Sequence, residues 1–170
     1  GKPFAFISTA FHSFVKGTHE LLLAWKKANI KDYPLIIVGS LHDDISEFIE
    51  KYGPFNNVKF VGNKNIDDFY NKYCAVGILN SLSEGRPRSV LEYMQFGFPV
   101  IVSPVATCDL VEDGVNGFIV SDSEMLVEKL ILFTKNIDLA KTMGDKALKT
   151  INNLPFESYE QQMFNLLKKL

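Results

Sequence analysis

Cysteine is scarce in this sequence: there are two, Cys74 and Cys108, and three histidines, His12, His19 and His42, in 170 residues. Neither set has the spacing of a metal centre or a redox motif. No metal site is therefore expected, and the thiols read as buried, free and kept in a reducing compartment. No Gly-x-Gly-x-x-Gly follows a strand, which counts against a dinucleotide fold of the NAD type. Gly-x-x-x-x-Gly-Lys-Ser/Thr and Gly-x-Ser-x-Gly are also missing, which counts against a P-loop NTPase and an α/β-hydrolase. Apolar runs fall short of the roughly 18 residues of a membrane span. A net charge of −2 supplies no basic field, so no nucleic-acid partner is expected. Repeats, low-complexity tracts and linkers are absent, and no leader peptide is recognisable after Gly1.

What is present is an alternation of short apolar runs with helical patterns. Strands are expected at 4–7, 35–39, 58–62, 76–79, 100–103 and 118–120. Leu35-Ile36-Ile37-Val38 is apolar on both faces, as a buried parallel strand requires. Helices are expected over Thr18–Ala28, from Asp43 or Asp44 as cap to Tyr52, after Asn65, and over Ser89–Phe96. Three more are expected at Glu124–Thr134, Asp138–Ile151 and Ser158–Lys169. Strands alternating with helices predict an α/β, three-layer sandwich with a parallel sheet of about six strands.

The densest chemistry lies in Ser83-Glu84-Gly85-Arg86-Pro87-Arg88-Ser89-Val90-Leu91-Glu92, between the fourth strand and its helix. Ligands of parallel α/β sheets bind at the C-terminal ends of strands, and a helix N-terminus there attracts an anion. Glu84 lies on the loop, and Glu92 one turn inside the helix. Ser89-x-x-Glu92 also matches a capping box, which on pattern alone is the simpler reading of Glu92. Gly85 and Pro87 suit a plain turn, and Arg86 and Arg88 a solvated surface. Lys16-Gly17 precedes the first helix, where a lysine can reach the same crevice and offset phosphate charge, although an isolated pair of this kind is more often a surface lysine; His12 on that loop could add a donor, although such a histidine more often does nothing specific. Gly39-Ser40 and Gly62-Asn63-Lys64 close the second and third strands, and the latter is a candidate wall of a base pocket.

These residues resemble the C-terminal, donor-binding domain of a retaining GT-B glycosyltransferase of family 4. The resemblance runs from about Phe4 to Leu170 and rests on an ordered set of motifs. They are Lys16-Gly17, Glu84-Gly85-x-Pro87 with Glu92 at Glu-x7-Glu spacing, Gly97-x-Pro99-Val100-Ile101, and Glu112-Asp113-Gly114-Val115-Asn116-Gly117-Phe118. It implies a Rossmann-like domain over residues 1–170 and an N-terminal acceptor domain outside this chain. Glu84 would be the catalytic carboxylate beside the donor sugar, and Glu92 would accept from the ribose hydroxyls. The amides of Ser89, Val90 and Leu91, with Gly85, Gly17, Lys16 and His12, would hold the diphosphate. The donor would be a UDP-sugar or GDP-sugar, the acceptor a saccharide or lipid-linked sugar, and no cofactor or metal would be needed. A bacterial surface polysaccharide, made in the cytoplasm or at the inner membrane face through the missing domain, is the implied product.

The sequence departs from the pattern at Phe11, where the family has an arginine about five residues before the lysine. His12, Arg86 or Arg88 would have to replace it. Other readings are a non-catalytic nucleotide-sugar binding module, a sugar-nucleotide epimerase of the same fold, and a phosphorylase, which lacks a conspicuous second lysine here. An unrelated doubly wound signalling or flavin module would make the Glu-x7-Glu spacing a coincidence.

Overall fold

The structure is a computed structural model and describes residues 1–85, 87–155 and residues 163, 167 and 168. Six parallel strands form one sheet: β1 Phe4–Thr9, β2 Leu35–Val38, β3 Val58–Gly62, β4 Cys74–Leu79, β5 Val100–Val102 and β6 Gly117–Ile119. Their order is β3-β2-β1-β4-β5-β6, so the chain reverses direction across the sheet between β1 and β4. The helices are α1 Thr18–Ala28, α2 Asp43–Tyr52, α3 Ile66–Tyr70, α4 Arg88–Gln95, α5 Ser123–Lys135 and α6 Ile137–Asn152.

The two-residue period of a strand sorts the core into two halves. Phe4 and Phe6, Leu35 and Ile37, Val76 and Ile78, and Ile101 face α1, α2 and α5. Ala5 and Ile7, Ile36 and Val38, Ala75 and Leu79, and Val100 and Val102 face α3, α4 and the end of α6. Trp25, Tyr70, Tyr93, Phe6 and Phe133 are fully buried, each contributing about 1.5–3 kcal/mol or more through its apolar surface. β3 is the outer strand, and its Lys59 and Phe60 are exposed.

Several local expectations are corrected. α2 is capped by His42, whose Nδ1 accepts from the Asp44 amide at 3.3 Å, not by either aspartate. Asp43 and Asp44 sit in the first turn, where the helix dipole favours negative charge, and Asp44 Oδ2 accepts instead from the Phe14 amide at 3.0 Å. α4 starts at Arg88, one residue early, with Pro87 as its cap and no side-chain cap bond. Cys74 and Cys108 are half-buried rather than buried. The helix expected at Ser158–Lys169 and the expectation for Arg86 lie outside the described residues, apart from Met163, Leu167 and Lys168.

His12 ties the ends of β1 and β2 together. Its backbone bridges to Leu41, its Nε2–H donates to the Val38 carbonyl at 2.9 Å, and Nδ1 therefore accepts from Thr18 Oγ1 at 2.8 Å. Burial pulls its pKa from 6.5 down to about 4, against the weaker opposing pull of its backbone partners.

Two measurements test this account. α6 crosses the end of α4 so closely that a Cβ on Gly144 would lie 2.1 Å from the Gly97 carbonyl oxygen, whereas one on Gly85 would meet nothing within 4 Å. Gly144→Ala should lose about 1–3 kcal/mol in urea unfolding, and Gly85→Ala should be unchanged. For His12 the folded pKa lies below the unfolded one, so its stabilisation is complete above pH 6.5 and is lost as pH falls towards 4. Urea titrations should show about 3 kcal/mol of stability lost to this group over that window, and His12→Gln should flatten it.

Candidate active site at the sheet reversal

Because β1 and β4 are neighbours whose following helices cover opposite faces, their outgoing loops diverge and leave a crevice at the C-terminal edge. At its floor the β1–α1 loop passes against β4. Gly17 has a left-handed φ of 70°, and a Cβ there would lie 1.7 Å from the Asn80 carbonyl oxygen. Only glycine satisfies both conditions. The Leu82 amide donates to the Val15 carbonyl at 2.8 Å and closes the two loops on each other.

That approach brings Lys16 to Glu84. Lys16 Nζ donates to Glu84 Oε1 at 2.6 Å, and Ser81 Oγ donates to the same oxygen at 2.5 Å. The Glu84 side chain is only 5% exposed, whereas that of Lys16 is 32% exposed. A carboxylate so withdrawn from water requires its cation and its hydroxyl. Ser81 is itself held, its carbonyl accepting from Ser103 Oγ at 2.6 Å. The Ser81-x-x-Glu84 spacing was available in the sequence but drew no attention.

Glu92 is half-buried on α4, and its carboxylate makes no hydrogen bond to the described residues. The capping-box reading is overturned, because Ser89 lies inside the helix and Glu92 has no cap amide to reach. Burial raises the pKa of Glu92, Arg88 opposes that rise, and Asp67 of α3 adds to it. A desolvated carboxylate with no hydrogen bond of its own is suited to accepting hydrogen bonds from a ligand.

The earlier start of α4 changes its amide set. The unpaired N–H groups of its first turn belong to Arg88 and Ser89, since Pro87 has none. Val90 closes onto the Pro87 carbonyl at 3.2 Å, and Leu91 lies one position deeper than the expectation required. Gly85 is exposed, with neither a left-handed φ nor a steric neighbour to demand glycine.

His12 does not reach the crevice. Both ring nitrogens are spent inside the protein, and its role is to fix the loop that carries Lys16. Beside the crevice a cavity of about 240 Å³ opens at the ends of β1, β2 and β3, lined by Phe11, Ser40, Asn63, Lys64 and Ile66 among others. The expected wall residues Asn63 and Lys64 are there; Phe11 was noted only as a missing arginine. Buried Tyr93 joins this cavity to α4: its hydroxyl accepts from the Thr9 amide at 2.8 Å and donates to the Ile78 carbonyl at 3.2 Å. Asn116, in the loop before β6, spends its side chain on the Glu112 amide, the Leu110 carbonyl and Thr150, so that motif serves the fold. Among the described residues no group of three or more His, Cys, Asp or Glu is gathered for a metal, and no helix is long and apolar enough to cross a membrane.

Comparison with known proteins places this geometry. An uncharacterised glycosyltransferase of Haemophilus influenzae is 32% identical over 141 residues, covering 78% of this chain and 40% of that protein. The chain thus spans well under half of that relative's length. The crystal structure of Anabaena HepE in complex with UDP and glucose superposes with a TM-score of 0.78 at 24% identity, covering 98% of this chain and 49% of that one. The C-terminal domain of LpcC, a group 1 glycosyl transferase from Francisella tularensis, superposes with a TM-score of 0.74 at 19% identity, covering 91% and 86%. The fold is that of the Rossmann-like domains of GT-B glycosyltransferases. The model of the family described as glycosyl transferases group 1 matches residues 1–150, and the chain belongs to that family.

Proposed function

We propose that this chain is the donor-binding domain of a retaining glycosyltransferase. It would take a sugar from a nucleoside diphosphate sugar, a UDP-sugar or GDP-sugar, to an acceptor hydroxyl supplied across a cleft by an N-terminal half. The observation that carries the reading is the Lys16–Glu84 pair at the β1/β4 reversal, with the Glu92 carboxylate, which has no hydrogen bond of its own, on the adjoining helix. The diphosphate would lie at the N-terminus of α4, where the Ser89 amide and the helix dipole favour negative charge. Glu92 offers two acceptor oxygens to the two ribose hydroxyls. Gly85 would let the donor approach the loop, a purpose consistent with a glycine the fold itself does not require.

The chemistry follows from those positions. As the anomeric carbon–oxygen bond breaks, its electron pair passes to the diphosphate, where Lys16 and the α4 amides stabilise the growing charge. The positive charge left on the sugar ring falls beside Glu84. The acceptor oxygen bonds to the anomeric carbon, and its proton leaves with the diphosphate. HepE, with its bound UDP and glucose, supports a uridine donor. A bacterial surface polysaccharide or lipid-linked glycan is the product class we favour, assembled on the cytoplasmic side of the membrane.

Calorimetric titration with UDP, GDP and ADP should show selective binding of one nucleotide. Glu92→Ala should weaken it by about tenfold or more, the value of hydrogen bonds to a charged group. Binding by none of the three would sink the proposal. Because burial raises the Glu92 pKa and the ribose needs the ionised form, affinity should fall on acidification at a higher pH than for an exposed glutamate. Glu92→Gln should remove that component. In a full-length protein carrying this chain, Glu84→Ala should abolish transfer without weakening nucleotide binding, since it frees Lys16, and retained transfer would refute the role given to Glu84.

A further inference from the structure

Phe11 is 58% exposed, yet it is not an isolated surface ring. It lines the cavity at the ends of β1, β2 and β3 together with Thr9, Val38, Ser40, Asn63 and Ile66. His42 meets it edge-on, with ring centres 5.9 Å apart and planes at 89°, and so buttresses the ring from one direction. Val38 and Ile66 add apolar surface to the cavity, while Asn63 Nδ2 donates to Ser40 Oγ at 3.0 Å and supplies a polar edge. Such a space suits a flat ligand with an apolar face and a polar rim. A diphosphate would find only Lys64 as a cation in the lining, and a hydroxyl-rich sugar would face too much hydrocarbon.

The cavity is also in the right place. It begins at Thr9, whose amide donates to the hydroxyl of Tyr93, the residue next to Glu92. The proposed placement of the ribose on Glu92 is thus one residue along α4 from the side chain that borders the cavity.

We propose that Phe11 is a base-binding residue, a stacking wall for the nucleobase of the donor, standing where the family pattern has an arginine for phosphate. The inference rests on the donor-domain reading above and adds a consequence. Lys16 is shared with Glu84 and His12 is enclosed, so the side chains supply little uncommitted positive charge on the β1–α1 loop. Stacking is indifferent to phosphate charge, and recognition moves from the diphosphate towards the base.

The test is calorimetry of the 170-residue chain with the nucleoside diphosphate that binds among UDP, GDP and ADP, its monophosphate, and inorganic pyrophosphate. Phe11→Ala and Phe11→Leu should weaken the di- and monophosphate by a similar factor, about 5- to 150-fold, the span of one stacked base. Phe11→Tyr should retain binding, and pyrophosphate affinity should not change. Unaltered far-UV circular dichroism is expected, because the ring is exposed. Nucleotide affinity within twofold of wild type in Phe11→Ala, or an equal loss for pyrophosphate, would overturn the stacking role while leaving the donor reading standing. Failure of the wild-type chain to bind any nucleotide would overturn both.

Discussion

The contact on which the site depends is the passage of Gly17 over the Asn80 carbonyl. A parallel sheet that reverses its winding must send two neighbouring loops apart, and by itself that produces only a gap. The missing side chain at position 17 lets the loop after β1 drop onto the end of β4. Lys16 and Glu84, far apart in sequence, thereby become partners. Much nearby structure secures this contact: His12 fixes the loop to β2, Asp44 holds it from α2, and Ser103 and Ser81 hold Glu84 from beneath.

Much of the architecture was legible because the strands obey the pattern of a sheet covered on both faces. Leu35–Val38 is apolar at every position, and alternate residues enter opposite halves of the core. The outer strand β3 is less regular, with Lys59 and Phe60 exposed, yet flanking glycine and asparagine still marked it. Caps were less legible. Histidine at position 42 has no strong preference for capping, whereas the two aspartates after it do, and only the packing of Phe14 explains why Asp44 turned elsewhere.

In the site, spacing revealed the two glutamates and the lysine but not their relations. Ser89-x-x-Glu92 satisfies a capping box on paper; one residue of difference at the start of α4 removes the cap and leaves the Glu92 carboxylate without a hydrogen bond of its own. His12 shows the opposite failure. A histidine in a ligand-side loop suggests a donor, yet its depth and its two bonded nitrogens depend on β2 and α1, which local sequence does not reveal. Ser81 gave no sign, and Phe11 stood out only as a departure from the family pattern, because neither residue type signals chemistry until its neighbours are known.

The Lys16–Glu84 pair also shapes how an anion enters. The Lys16 ammonium has its counter-ion within the protein, so on the proposed reading an arriving anion would meet a cation already neutralised. Entry of a donor diphosphate, on the proposed reading, would be an ion exchange: it would compete with Glu84 for Lys16, and the carboxylate, only 5% exposed and held by Ser81, would stay in place with less compensation. That loss would make Glu84 seek positive charge once a donor lies in the crevice. A buried carboxylate thus becomes most demanding when a neighbouring group begins to turn cationic.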